Sequence, residues 1–172
     1  MAAITLERLQ ALDAEQLVQL SLVLLDCVEG GASVGFMQPL TPDQAFAFWQ
    51  RVAAGVAAGE RALLVARDGV GIVGTVQLVL DQPDNQVHRA DLCKMLVHRR
   101  GRRQGLGAAL MQGAEDMARA CGKKLLVLDT ATGSDAERLY ARLGWSRVGG
   151  IPNYAHWPDG GLCGTTIFYK AP

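Results

Sequence analysis

Hydrophobic positions change period several times along the chain. After Asp13, apolar residues recur at Leu17, Leu20, Leu24 and Val28, with Val23 and Leu25 widening the stripe. Spacing by three and four predicts an amphipathic helix. Asp13 with Gln16 forms its capping box, and Gly30-Gly31 stops it. A second helix starts at Thr41, with Pro42 in its first position, Gln44 as capping partner, and Phe46, Trp49, Val52, Ala53 and Val56 toward the core. A third runs from Leu106 with Ala109, Leu110, Met117 and Ala120 on one face, and Gly122 closes it. A fourth is capped by Ser134 with Glu137, buries Ala136, Leu139, Tyr140 and Leu143, and ends at Gly144.

Between these lie shorter apolar stretches that read as strands. Ala3–Leu9 opens the chain. Arg61–Arg67 and Gly71–Leu80 flank the turn Asp68-Gly69 and predict an antiparallel hairpin. A loop over 81–87 leads to Leu92–Val97. Lys124–Leu128 is a nearly continuous apolar run, which predicts a strand buried on both faces and parallel to the one before it. Trp145–Val148 and Thr165–Tyr169 are the last strands, separated by a Gly/Pro-rich loop over 149–163. The order is β-α-α-β-β-β-α-β-α-β-β, an α/β (α+β) domain. At 172 residues a single domain spanning 1–172 is expected.

Composition narrows the function. Hydrophobic residues make up 49% and charged residues 20%, enough apolar surface for a core. The net charge is zero, which disfavours nucleic acid as a partner. Cys27, Cys93, Cys121 and Cys163, like His88, His98 and His156, are scattered, so no metal site is expected. No signal-peptide pattern or membrane-length apolar run is present, so a cytoplasmic protein without a membrane partner is expected.

The chemistry gathers where strand Leu92–Val97 meets the third helix. The turn between them is His98-Arg-Arg-Gly-Arg-Arg103-Gln104-Gly105-Leu106-Gly107-Ala108. A helix start offers unpaired N–H groups and a partial positive charge, glycines admit an anion to the backbone, and Arg102 and Arg103 add full charges. This is a phosphate cradle. It lacks the Gly-Lys-Ser/Thr of a P-loop. Arg102-Arg103-Gln104-Gly105-Leu106-Gly107 resembles the pyrophosphate-binding motif of the GNAT acetyltransferases, and Ala136-x-x-x-Tyr140-x-x-x-Gly144-Trp145 resembles that family's second signature.

The resemblance covers nearly the whole chain. It implies a mixed central sheet of about seven strands with about four helices, and acetyl-CoA as co-substrate. Met95, Leu96 and Val97 would hold the pantetheine arm, and Arg102 to Ala108 the pyrophosphate. Where the family often has Asn, this chain has Gly133, so Ser134 is the candidate substitute. Gly30–Met37, Leu128-Asp-Thr130, Gly133-Ser134 and Pro158-Asp-Gly160 resemble the tabtoxin-resistance acetyltransferases, which acetylate an amino-acid-like toxin. Ser33, Phe36 and Met37 of the loop, with Gln77 of the hairpin, are then the candidate acceptor contacts. Simple docking of Val34, Phe36 and Met37 onto the core is the other reading of that loop.

Acetyl transfer to an amine needs a neutral amine, a donor for the thioester oxygen, a proton for the leaving thiolate and close positioning of both substrates. The resemblance places Tyr140 at the CoA sulfur as acid, with backbone N–H groups near Met95 to Val97 as carbonyl donors. Asp129, at the carboxyl edge of a parallel strand, is the favoured base, and Asp91 competes with it. Carboxylates are weak bases at neutral pH, so either acts through water or binds the ammonium. The expected function is acetylation of a small amino-acid-like amine by a monomer or homodimer. The alternatives are a peptide or protein amine as acceptor, or a non-catalytic acetyl-CoA-binding module.

Overall fold

The computed structural model describes residues 4–172, so Ala3 of the expected first strand lies outside the described residues. Seven strands form one sheet: β1 (Thr5–Leu9), β2 (Arg61–Arg67), β3 (Ile72–Val79), β4 (Arg89–Val97), β5 (Leu125–Ala131), β6 (Ser146–His156) and β7 (Leu162–Lys170). Their spatial order is β1-β2-β3-β4-β5-β7-β6. Among the described residues only β4 and β5 pair in parallel. Four helices, α1 (Ala14–Glu29), α2 (Pro42–Ala57), α3 (Leu106–Ala120) and α4 (Asp135–Arg142), cover the two faces.

Local chemistry starts the first two helices as the sequence indicates. Asp13 accepts from the Gln16 amide at 2.8 Å, and Gln16 Oε1 accepts from the Asp13 amide at 2.9 Å. Thr41 and Gln44 repeat the arrangement. Each box satisfies two of the N–H groups that a helix start leaves unpaired, a contribution of about 1 kcal/mol. On α4 the box is altered. Ser134 accepts from the Glu137 amide, but the Glu137 carboxylate takes the amide of Gly133 instead of that of Ser134.

Two apolar layers sandwich the sheet. On one face Leu20, Leu24, Trp49 and Val52 of α1 and α2 pack on Leu63, Val65 and Leu96. On the other, Leu110, Met111 and Ala114 of α3 meet Leu64, Val76 and Leu78, and Tyr140 of α4 joins Leu126, Leu128, Trp145 and Phe168.

Three expectations shift. The buried stripe of α3 is Leu106, Leu110, Met111, Ala114, Met117 and Ala118, while Ala109 and Ala120 are exposed. Glu115 also turns inward there, because Lys170 Nζ donates to it at 2.8 Å. Strand β5 is buried on one face only: Leu126 and Leu128 are covered, whereas Asp129 is exposed. Helices α1 and α2 lie over β2, β3 and β4 and stop short of β5, so its second face remains open. The expected loop over 149–163 is mostly strand. Strand β6 runs on to His156 and pairs with β7 as far as Leu162. Its Gly149, Gly150 and Pro152 read as breakers, but β6 is an edge strand, where proline costs no ladder bond on its solvent side. Register shifts at Arg147/Gly149 and Ile151/Ala155 absorb the irregularity.

Candidate active site

Strands β4 and β5 are in register only over Arg89–Asp91 against Leu125–Val127. Beyond that point β4 stays with β3 and β5 stays with β7, so the parallel pair parts. The opening is a cleft of about 1390 Å³, lined by Leu92–Val97 on one side and Leu128–Ala131 on the other. Small-ligand pockets span ~300–1,000 Å³, so this cleft is large enough for two substrates together.

The cradle lies at one end. Helix α3 starts at Gly105, whose φ of 76° is left-handed and whose place at the cap provides no side-chain acceptor. The first amides of α3 are therefore free for an external anion. Gly107 also lets the helices meet, since a Cβ there would lie 3.0 Å from Leu139 Cδ2. Of the motif's charges, Arg103 alone has no hydrogen-bond or ion-pair partner among the described residues. Arg102 donates through Nε to the Val97 carbonyl at 3.1 Å and lies 3.8 Å from Asp26. Buried Asp26 also accepts from the Arg99 amide at 2.8 Å and pairs with the Arg99 guanidinium. Asp26 thus fixes the turn from the α1 side, a role invisible in sequence because its partners lie more than seventy residues away. A capless helix start, an arginine at the cleft lining and a parted parallel pair fit a nucleotide pyrophosphate with a pantetheine arm.

Tyr140 and Asp129 line the middle of the cleft. Burial, and then the negative charge of Asp129, hold the Tyr140 phenol well above its ordinary range. Thr165 Oγ1 donates to Asp129 Oδ2 at 2.9 Å and orients the carboxylate. Thr165 gave no signal in the sequence, because only the β5–β7 register brings it alongside. Burial pushes the Cys93 thiol up, so this cleft cysteine stays protonated and is a poor nucleophile.

Other candidates fall differently. Ser33 lines the cleft and donates to the His156 carbonyl at 3.0 Å. Met95, Leu96, Val97, Leu106, Ala108 and Ser134 line it too. Asp91 does not: Arg89 pairs with one of its oxygens and Gln82 donates to the other at 3.0 Å. Gln77 is wholly buried and accepts from Arg61 at 3.0 Å, away from the cleft wall. Phe36 packs edge-on against Phe48 with ring centres 5.2 Å apart, and Met37 points outward, half exposed. Neither lines the cleft, so simple docking describes Phe36. Gln104 donates back to the Arg100 carbonyl. Among the described residues no cluster suited to a metal ion occurs, and no helix is long and apolar enough to cross a membrane.

Comparison with known proteins bears on the family and the fold. The model of the acetyltransferase (GNAT) family matches residues 27–145. An uncharacterized N-acetyltransferase from the hisH–hisA intergenic region of Azospirillum brasilense is 34% identical over 132 residues, covering 75% of this chain and 76% of that protein. An N-acetyltransferase from Staphylococcus aureus superposes with a TM-score of 0.80 at 15% identity over 99% of both chains. The Salmonella typhimurium protein yncA, solved with its cofactor acetyl-CoA, gives 0.79 at 20% identity over 98% of this chain and 94% of its own. With the family model spanning well over half its length, the chain belongs to the GNAT acetyltransferases and is an acetyl-CoA-dependent N-acetyltransferase.

Proposed function

We propose that the acceptor is a small amino-acid-like amine, acetylated by direct transfer with Tyr140 and Asp129 as the working side chains. The observation that carries the reading is the roof over the acceptor side. The loop after α1 is tied across the cleft to the β6–β7 end: Ser33 Oγ donates to the His156 carbonyl, and the Gln38 amide donates to the Pro158 carbonyl at 2.8 Å. A tethered rim encloses a compact acceptor and obstructs the open groove that an extended peptide needs. The resemblance of Gly30–Met37 to the tabtoxin-resistance enzymes supports the same class.

Bound acetyl-CoA supplies the activated acetyl group. Arg103 and the free amides at the start of α3 hold its pyrophosphate. Asp129 attracts the acceptor ammonium and, being exposed, passes its proton directly or through water to solvent. Tyr140 keeps its proton well past the ordinary phenol range, whereas a thiol titrates near ~8.5. It therefore stabilises the departing thiolate as a hydrogen-bond donor. Outright proton loss from so weak an acid would be uphill. The protonated Cys93 offers no thiolate for an acyl-enzyme route. A panel of amino acids, simple amines and short peptides, read by thiol release from acetyl-CoA, tests the reading. Turnover of amino acids above peptides is expected, and preferential turnover of peptides would overturn it.

A further inference from the structure

Lys94 sits where β4 bends. The β3–β4 register shifts between Thr75/Leu96 and Gln77/Cys93, leaving Lys94 and Met95 opposite Val76, and Lys94 has a φ of 52°. A bulge of this kind re-aims side chains. Here it sends Lys94 and Met95 to opposite sides of the sheet. Met95 lies 4.0 Å from a Cβ placed on Gly107, on the cradle side. Lys94 extends over the α1–α2 side, with Nζ 5.7 Å from the centre of the Phe48 ring and 3.8 Å from a Cβ placed on Gly35.

Lys94 is half-buried as a residue and lines the cleft. The nearest carboxylate in sequence, Asp91, is occupied by Arg89 and Gln82, and Lys94 forms no ion pair among the described residues. A ring face attracts an ammonium only weakly, so a cleft ammonium without a carboxylate partner is left to pair with an anionic ligand. Across the gap, Asp129 projects to the same side of the sheet as Lys94, because Leu126 and Leu128 alternate to the α4 side. The acceptor side thus presents one cation from β4 and one anion from β5, flanking the opening between the strands. Phosphates of the co-substrate do not account for Lys94, since the α3 start lies on the other side of the sheet.

We infer that Lys94 binds the carboxylate of the acceptor, and that the acceptor is therefore an amino acid with its reacting amine toward Asp129. The inference rests on the small-amine reading above and adds the anionic group that the acceptor must carry. Amino acids would be compared with their methyl esters, which keep the amine and remove the charge, using thiol release with the wild type, Lys94→Met and Lys94→Arg. The wild type prefers acid to ester by tenfold or more. Lys94→Met raises the KM for the acid on the order of 10–100-fold and leaves the ester and the KM for acetyl-CoA unchanged. Lys94→Arg restores most of the acid preference, and this variant keeps the test open if Lys94→Met folds poorly. Equal use of acid and ester by the wild type, or a Lys94→Met defect confined to acetyl-CoA, overturns the Lys94 assignment while amine acetylation stands. Turnover of no acid, ester or amine overturns both readings.

Discussion

Replacing Tyr140 by Phe removes one hydroxyl and little else. The ring is 5% exposed and packs with its centre 6.1 Å from Phe168 and 6.2 Å from Trp145, contacts that phenylalanine keeps. Burial and then the charge of Asp129 raise its pKa, and the hydroxyl makes no hydrogen bond among the described residues, so its removal orphans no protein partner. The stability cost should stay below about 1 kcal/mol, or roughly 2–4 °C in Tm for a chain of this size. The catalytic cost should be larger. Losing a single donor to a developing anion in a closed site costs ~10²–10³-fold, or about 2.7–4 kcal/mol. Because Tyr140 donates without giving up its proton, the lower end is expected. Thiol release at saturating acetyl-CoA should show kcat reduced about 100-fold, with calorimetric CoA affinity unchanged. The raised pKa adds a sign. The donor is present while the phenol is protonated and would be lost only above the ordinary phenol range, so Tyr140 imposes no alkaline fall in kcat below about pH 10. Full activity of Tyr140→Phe refutes the donor role. An alkaline limb near the ordinary phenol value that vanishes in the variant refutes the upward shift that burial and Asp129 impose.

Asp129→Asn should lower kcat/KM by tenfold or more, most strongly at low pH where free amine is scarcest, whereas Asp91→Asn should change it less than about twofold; pH–rate profiles of the pair decide, and the reverse ranking would move the base to Asp91. Phe36→Ala should cost about 2 kcal/mol, below the ~3–5 of a fully buried phenylalanine, by removing the contact with Phe48, and should leave the acceptor KM unchanged; a raised KM at constant Tm would return Phe36 to the acceptor site. Hydrogen bonds from Thr166, then from the Gly133 amide, hold the Glu137 carboxyl below its ordinary 4.5. A depressed carboxyl stabilises the fold above that value and loses the contribution as pH falls through the lower folded value. The Tm gap between wild type and Glu137→Gln should thus be open at neutral pH and close as the pH falls through the lowered folded value, and a gap independent of pH would contradict it.

What the sequence determined by itself was whatever nearest neighbours in the chain decide. Asp13 with Gln16 and Thr41 with Gln44 fix helix starts through bonds three residues apart, and Asp68-Gly69 turns β2 into β3. The uncapped start of α3 was legible for the same reason, since Gly105 and the first amides of α3 belong to one short segment. Tertiary structure alone decided what depends on strands meeting. The parting of β4 from β5 after Asp91 creates the cleft, and uncovered β5 exposes Asp129. Thr165 reaches Asp129 through the β5–β7 register, and Asp26 reaches Arg99 from another layer. Arg89 and Gln82 occupy Asp91, and a bulge turns Lys94 toward Phe48. Even the length of β6 is set this way, because Gly149, Gly150 and Pro152 are breakers in isolation and tolerable only at a sheet edge held by β7. Such choices follow from long-range pairing, whose energy depends on register and burial, and neither quantity is carried by the local order of residues.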